Sequence, residues 1–342
     1  MTRIKHWLLV AVSGVCRAAW RALWSGMARG GEARAFRPAP GVSDPSAGCA
    51  AAGRTSVTVV IATRNRVREL CRTLSFLAAL PEEPDVIVID NASRDGTSAT
   101  VRDRYPGADL VTLRRNRGAA ARNVGAARAA TRYVAFSDDD SWWEPGSLGR
   151  AVAVLDGNPR VGLVAARTLV GAAGVPDPVN AVMKASPLPS GQLPGPRVLG
   201  FLGCAAVVRR AAFLAVGGFS ELLFFGCEEQ LLAMDLAAAG WPAAYLDEVI
   251  ARHWPSAARD DAARRRLMLR NEVLIAWLRR PARIAVTATA DLALRLGRDP
   301  AAARAIPSLL LAWPRALRQR RVLPAPVEAQ VRLLQRRTPH SP

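Results

Sequence analysis

Lysine is almost missing from this chain: Lys5 and Lys184 are the only two, and every other basic residue is arginine. With the heavy alanine content, this is the mark of a GC-rich genome, which explains the choice of arginine but not where the arginines fall. Long apolar runs are missing too. A transmembrane helix needs about 20 apolar residues, and none of that length is found. Cysteine is scarce and unpatterned. Cys16, Cys49, Cys71, Cys204 and Cys227 are odd in number and lack CxxC spacing. That argues against a disulfide framework or a cysteine zinc site, and for free thiols in a reducing cytoplasm. Internal repeats are absent.

What is present is a chain of 342 residues, half of them apolar, with a net charge of +19. The charge sits at the ends: +5 over residues 1–50, +12 over 261–342, and only +2 between. A nucleic-acid enzyme concentrates charge around its cleft, so no nucleic-acid partner is expected. Basic flanks fit an anionic membrane surface better. Trp7, Trp20 and Trp24 with Arg17 and Arg21 read as an interfacial helix, which predicts a cytoplasmic protein, peripheral on the inner face of the plasma membrane. Residues 30–54 are a Gly/Pro/Ala/Ser linker. The division is therefore 1–54, a basic segment and linker; 55–260, the main domain; and 261–342, an arginine-rich helical extension.

Within the main domain, apolar runs alternate with helical spacing. Val57–Ala62, Val86–Ile89, Leu110–Leu113 and Tyr133–Phe136 read as buried strands. The segments between them suit helices. This predicts an α/β fold with a mainly parallel sheet flanked by helices. In the second half, Val161–Val170, Gly203–Val208 and Ala244–Ile250 read as strands, and Glu228–Ala239 as a helix. Ligands of such sheets bind beyond the carboxyl ends of the strands, where Asp90 and the Asp138-Asp139-Asp140 run both fall.

Three adjacent carboxylates repel unless a cation or strong donors compensate. Oxygen ligands suit Mg²⁺ or Mn²⁺ bridging substrate phosphates; a solvated acidic turn is the alternative. Asp90 could accept hydrogen bonds from a nucleobase or ribose, or could be a turn residue with Asn91. Thr63 and Arg64 could line a nucleotide pocket, or cap a helix. Arg122, near a loop-to-helix start, suits a diphosphate. Glu228-Glu229 opens a helix. The helix dipole explains negative charge there, and so does a general base for an acceptor hydroxyl. His253 is, by itself, an ordinary structural histidine. Trp142 and Trp143 could floor a sugar site or belong to the core.

The order of segments VTVVIATRNR, VIVIDNASRDGT, RRNRGAAARNVG, YVAFSDDDSWW, VGGF, CEEQLLAMDLAAAGW and RHWPS resembles the family 2 glycosyltransferases, over about residues 56–256. The resemblance implies a GT-A fold, a nucleoside diphosphate sugar donor, Mg²⁺ or Mn²⁺, and a glycan, glycolipid or small-molecule acceptor. It implies inverting transfer in cell-surface glycan or glycolipid synthesis. It also implies site roles. Thr63, Arg64 and Asp90 would hold the nucleoside, with Asn91 and Asp139 beside them. Asp138 and Asp140 match the ends of a DxD motif and would hold the metal with His253, Asp140 as the more direct ligand. Glu229 would be the base, or Glu228 in its place, since the family often has Glu-Asp here. Two other readings stand beside this one. A sugar nucleotidyltransferase would carry a glycine-rich phosphate loop after the first strand, where this chain has ATRNRVREL. A non-catalytic binding module would not need Asp138, Asp140 and Glu229 together.

Overall fold

The structure, a computed structural model, describes residues 56–255 and 261–337. The expected N-terminal linker and interfacial helix lie outside the described residues. The four apolar runs form β1 (Val57–Thr63), β2 (Asp85–Asp90), β3 (Asp109–Thr112) and β4 (Tyr133–Asp138). They pair in parallel, in the order β3-β2-β1-β4. Between them run α1 (Val67–Ala78), α2 (Thr97–Arg104) and α3 (Ala121–Arg128). Every residue of β1 except Ala62 is buried, as a strand covered on both faces requires.

The second half adds antiparallel strands to this mainly parallel sheet. β9 (Ala206–Arg209) lies antiparallel between β4 and β6 (Leu163–Val170). β10 (Ala243–His253) runs parallel to β6, with a register shift between Leu246 and Ile250. The short β5 (Ser141–Trp143) closes this edge antiparallel to β10. Two two-residue strands, β7 (Val175–Pro176) and β8 (Arg197–Val198), flank β6 and β10.

Helices cover both faces. Leu70, Leu74 and Leu77 of α1 share one core with Leu148, Ala151 and Leu155 of α4 (Ser147–Gly157). After the short α5 (Pro178–Lys184), α6 (Arg210–Ala215) and α7 (Glu228–Ala238) pack with α3 on the other face, around Phe136, Phe213 and Phe219. α7 is buried on all sides over Leu231–Leu236, Asp235 included. Leu232 and Leu236 face the sheet. Leu231 and Met234 face a third core, built by α8 (Asp261–Arg279), α9 (Ala282–Leu294), α10 (Pro300–Arg318) and α11 (Ala325–Arg337).

Not all the arginines of these C-terminal helices are displayed at the surface. Arg279 is buried and grips Asp235 of α7 through two bonds of 2.5 and 2.8 Å. Arg280, also buried, grips Glu328 of α11 at 2.6 and 3.1 Å. Guanidinium forks suit such bidentate pairs. Net charge cannot tell an interior arginine from a displayed one. No helix among the described residues is long and apolar enough to cross a membrane.

Candidate active site

The site forms where β1, β2 and β4 end. Loops after parallel strands emerge on one side, and here they are laced together. The Asn65 N–H donates to Ser93 Oγ at 3.0 Å, and the Arg94 N–H to Asn65 Oδ1 at 2.8 Å. Asp90 is buried. Its Oδ1 accepts from the Ser93 N–H at 2.8 Å and its Oδ2 from the Ser98 hydroxyl. That is the turn-residue geometry. Asn91 bridges onward, accepting from the Arg117 N–H at 2.8 Å and donating to Gly118 O at 3.2 Å. Gly118 has φ +59, and a Cβ there would collide with Phe224 O. Glycine therefore lets this turn press against the loop before α7.

The three aspartates at the end of β4 go to different partners. The Thr63 hydroxyl donates to Asp139 Oδ2 at 2.9 Å. Arg66 bridges the other two contacts, with Nε 3.0 Å from Asp139 Oδ1 and Nη2 2.7 Å from Asp140 Oδ2. Sequence reasoning placed Arg64 in the site. Arg64 is exposed, while Arg66, at the start of α1, reaches the carboxylates. The signal was the position one turn beyond Thr63, where the helix start turns the side chain back over the strand ends. Asp138 pairs with Arg122, one turn into α3.

β5 and β10 bring in the histidine. Their register sets His253 opposite Ser141, and the Trp254 N–H donates to Asp140 O at 2.8 Å. His253 Nε2 then lies 3.4 Å from Asp140 Oδ1. The expected ligand trio thus divides. Asp140 and His253 are neighbours, while Asp138 turns to Arg122. No group of three or more carboxylate, thiol or imidazole side chains converges as a metal site among the described residues. Burial works against Asp140's charge, but His253 and Arg66 hold its carboxyl below the ordinary range. For Asp139 burial wins: it is pushed up to about 7, against Arg66 and aided by its two neighbouring carboxylates.

Opposite stands the glutamate pair at the start of α7. Glu228 is buried, its Oε2 has no hydrogen-bond partner, and Glu229 is half-buried. Burial raises both carboxyls, and repulsion from Glu229 raises Glu228 further. The Gly203 N–H and the Arg122 guanidinium oppose this at Glu229. A Cβ at residue 203 would stand 2.9 Å from Glu229 Oε1, so a larger residue would push this carboxylate aside. Arg122 has Asp138 on one side and the field of both glutamates on the other. Neither Gly203 nor its role carries a sequence signal.

Both tryptophans, Trp142 and Trp143, are buried in one core. Trp142 stacks on Phe76 at 4.2 Å, and Arg72 lies over the rings of Trp142 and Trp254, 5.9 and 4.8 Å from their centroids.

Comparison with known proteins agrees with this frame. The profile described as Glycosyl transferase family 2 matches residues 58–217. The succinoglycan biosynthesis protein ExoU of Rhizobium meliloti is 32% identical over 107 residues, 30% of this chain and only 31% of that one. The chain thus spans about a third of that relative's length. The N-acetylglucosaminyl-diphospho-decaprenol L-rhamnosyltransferase of Mycobacterium tuberculosis is 28% identical over 248 residues, 60% of this chain and 78% of that one. Among solved structures, the mannosyltransferase PcManGT from Pyrobaculum calidifontis, in complex with GDP-Man and Mn²⁺, superposes with a TM-score of 0.52. It is 23% identical and covers 82% of this chain and 84% of its own. S. aureus TarS 1-349 in complex with UDP-GlcNAc gives 0.51 at 20% identity, covering 80% and 83%. These structural likenesses speak for the fold. The matched profile, with the order of the motifs and the rhamnosyltransferase relative, supports a family 2 glycosyltransferase domain over residues 58–217.

Proposed function

We propose that this protein transfers a sugar from a nucleoside diphosphate sugar to an acceptor hydroxyl, with inversion, in the synthesis of a cell-surface glycan or glycolipid. The observation that carries the reading is the facing of two acidic groups across Arg122. On one side is the aspartate turn at the strand ends; on the other is a buried glutamate pair with raised proton affinity.

The strand-end loops supply the nucleotide side, with Thr63, Asp90, Asn91 and exposed Arg64 around them. Asp90 would meet a ribose or base only by sharing a carboxylate already bonded within its own turn. Arg122 is within reach of both acidic groups and suits the diphosphate as it leaves. Glu229, more open than Glu228, acts as the base that takes the acceptor hydroxyl's proton. Glu228, with an unpartnered buried oxygen and a carboxyl pushed up to about 8, holds its own proton. The donor set at Asp140 and His253 fits a divalent cation that takes one or two protein ligands and completes its shell with phosphate oxygens. Such an ion would neutralise charge on the departing diphosphate. By analogy with the rhamnosyltransferase relative, a lipid-linked diphosphate sugar is the acceptor class to try first.

The test is a thermal-shift and transfer screen of nucleoside diphosphate sugars with Mn²⁺ or with EDTA. One donor is expected to raise the melting temperature in Mn²⁺ only, and Asp140→Ala to remove that gain. Equal nucleotide affinity in Asp140→Ala and the parent would remove the cation from the reading. No transfer or hydrolysis of any donor would leave a binding module instead.

A further inference from the structure

The turn that leads into α7 is held in an unfavourable backbone shape. Phe224 and Cys227 have φ of 65° and 64°, in the left-handed region, and neither is glycine. Such residues persist only where their surroundings fix them. Here the surroundings come largely from α8, in the C-terminal extension.

Asn271 of α8 is fully buried. Its amide nitrogen lies 2.9 Å from Leu223 O, 2.9 Å from Phe225 O and 2.7 Å from Gly226 O. Two amide hydrogens thus serve three carbonyls. Its Oδ1 accepts from Arg270 Nη1 at 2.7 Å, and Arg270 Nη2 donates to Leu222 O at 3.0 Å. From the other side the Ala119 N–H donates to Phe224 O at 2.7 Å. Every carbonyl from Leu222 to Gly226 therefore meets a donor from α8 or from the turn at Gly118. The next residues are Cys227 and the glutamate pair.

We propose that Asn271, seated by Arg270, is a positioning residue for the transfer reaction: it fixes the turn 222–227 and so aims Glu228 and Glu229 at the acceptor hydroxyl. The inference rests on the glutamate pair acting as base, as proposed above. An asparagine buried only to stabilise the helices would need fewer bonds, and those would not all gather on the loop before the base. Misplacing a reacting group by about 1 Å costs on the order of 10²-fold in rate.

Cys227 lets the clamp be read without any activity. Burial pushes its thiol up to about 12, so it reacts slowly while the turn holds. The experiment compares the parent with Asn271→Leu, which keeps bulk but removes the donors, and with Arg270→Met. Each is treated with a maleimide and labelling is followed peptide by peptide, with buried Cys204 reporting global unfolding. Cys227 is expected to label at least ~10-fold faster in Asn271→Leu while Cys204 stays protected, as local opening allows. In the same variant kcat is expected to fall ~10²-fold with donor KM within about 2-fold. Arg270→Met should move both readouts the same way by less. Unchanged Cys227 labelling in a folded variant overturns the proposal. So does a loosened turn with full kcat, and so does lost activity that only tracks Cys204 exposure or failure of both variants to fold. If the parent transfers no sugar at all, the functional reading fails separately, and the Cys227 rates still decide whether the clamp exists.

Discussion

The Asp138–Asp140 turn and the Glu228–Glu229 pair are two crowded carboxylate clusters on either side of Arg122, and they relieve the crowding in opposite ways. The aspartates are matched by donors: the Arg66 guanidinium on Asp139 and Asp140, the Arg122 guanidinium on Asp138, and the His253 imidazole beside Asp140. Their charge is held in place, with Asp140 kept acidic. The glutamates have only a share of Arg122 and the Gly203 N–H, and burial keeps their proton affinity high. A cluster that keeps its charge suits binding of a cation and phosphates. A cluster with raised proton affinity suits taking a proton from a substrate.

The largest effect that could break this contrast is on turnover. Glu229→Gln is expected to lower kcat by ~10²–10⁴-fold while nucleoside diphosphate affinity stays at the parent value, measured by steady-state kinetics and calorimetry. If Glu228→Gln is the dead variant instead, the two glutamates exchange roles.

Next come two stability effects of opposite sign. Arg66→Met removes the cation between Asp139 and Asp140. Arg66 is part-exposed, so the loss is expected to be about 2 kcal/mol, less than for a fully buried pair. Glu228→Gln removes an unpartnered buried carboxyl and is expected to gain about 1 kcal/mol at neutral pH, as relief at a strained functional site commonly does. Urea unfolding of both variants reads the signs. Two losses would mean that the glutamates are as well compensated as the aspartates.

How much of this was legible in the sequence follows from how far each signal reaches along the chain. β1, β2 and β4 could be read almost to the residue, because a strand buried on both faces is an unbroken apolar run. Asp90 and Asp138 then fall at their ends without further information. Glu228 was placed correctly at a helix start. β9 was found only approximately, and its antiparallel direction not at all, because direction depends on a neighbour far along the chain. The C-terminal helices were recognised as helices. A charge count is blind to Asp235 and Glu328, which hold Arg279 and Arg280 inside the helices. Arg66, Gly203 and Asn271 were missed for the same reason: each acts on a group that only folding brings near. Asn271 shows the limit best, as a single polar letter in a helix whose partners lie about 45 residues upstream.

The smallest effect concerns pH, and it ties activity to stability through the same pair. A base must be unprotonated to work, and burial raises both glutamates above the ordinary 4.5. The rate should therefore climb with pH well beyond the normal carboxylate range, at most tenfold per unit, before it levels. Stability should move the other way. The folded pair holds its proton more tightly than the unfolded chain does. Its favourable contribution is thus complete below about 4.5 and is lost as pH rises through the raised value. Asp139, pushed up to about 7, adds a slope of the same sign between about 4 and 7. In Glu228→Gln one of the raised carboxyls is gone, so the stability slope should flatten. An unchanged slope would show that Glu228 does not hold its proton in the folded chain.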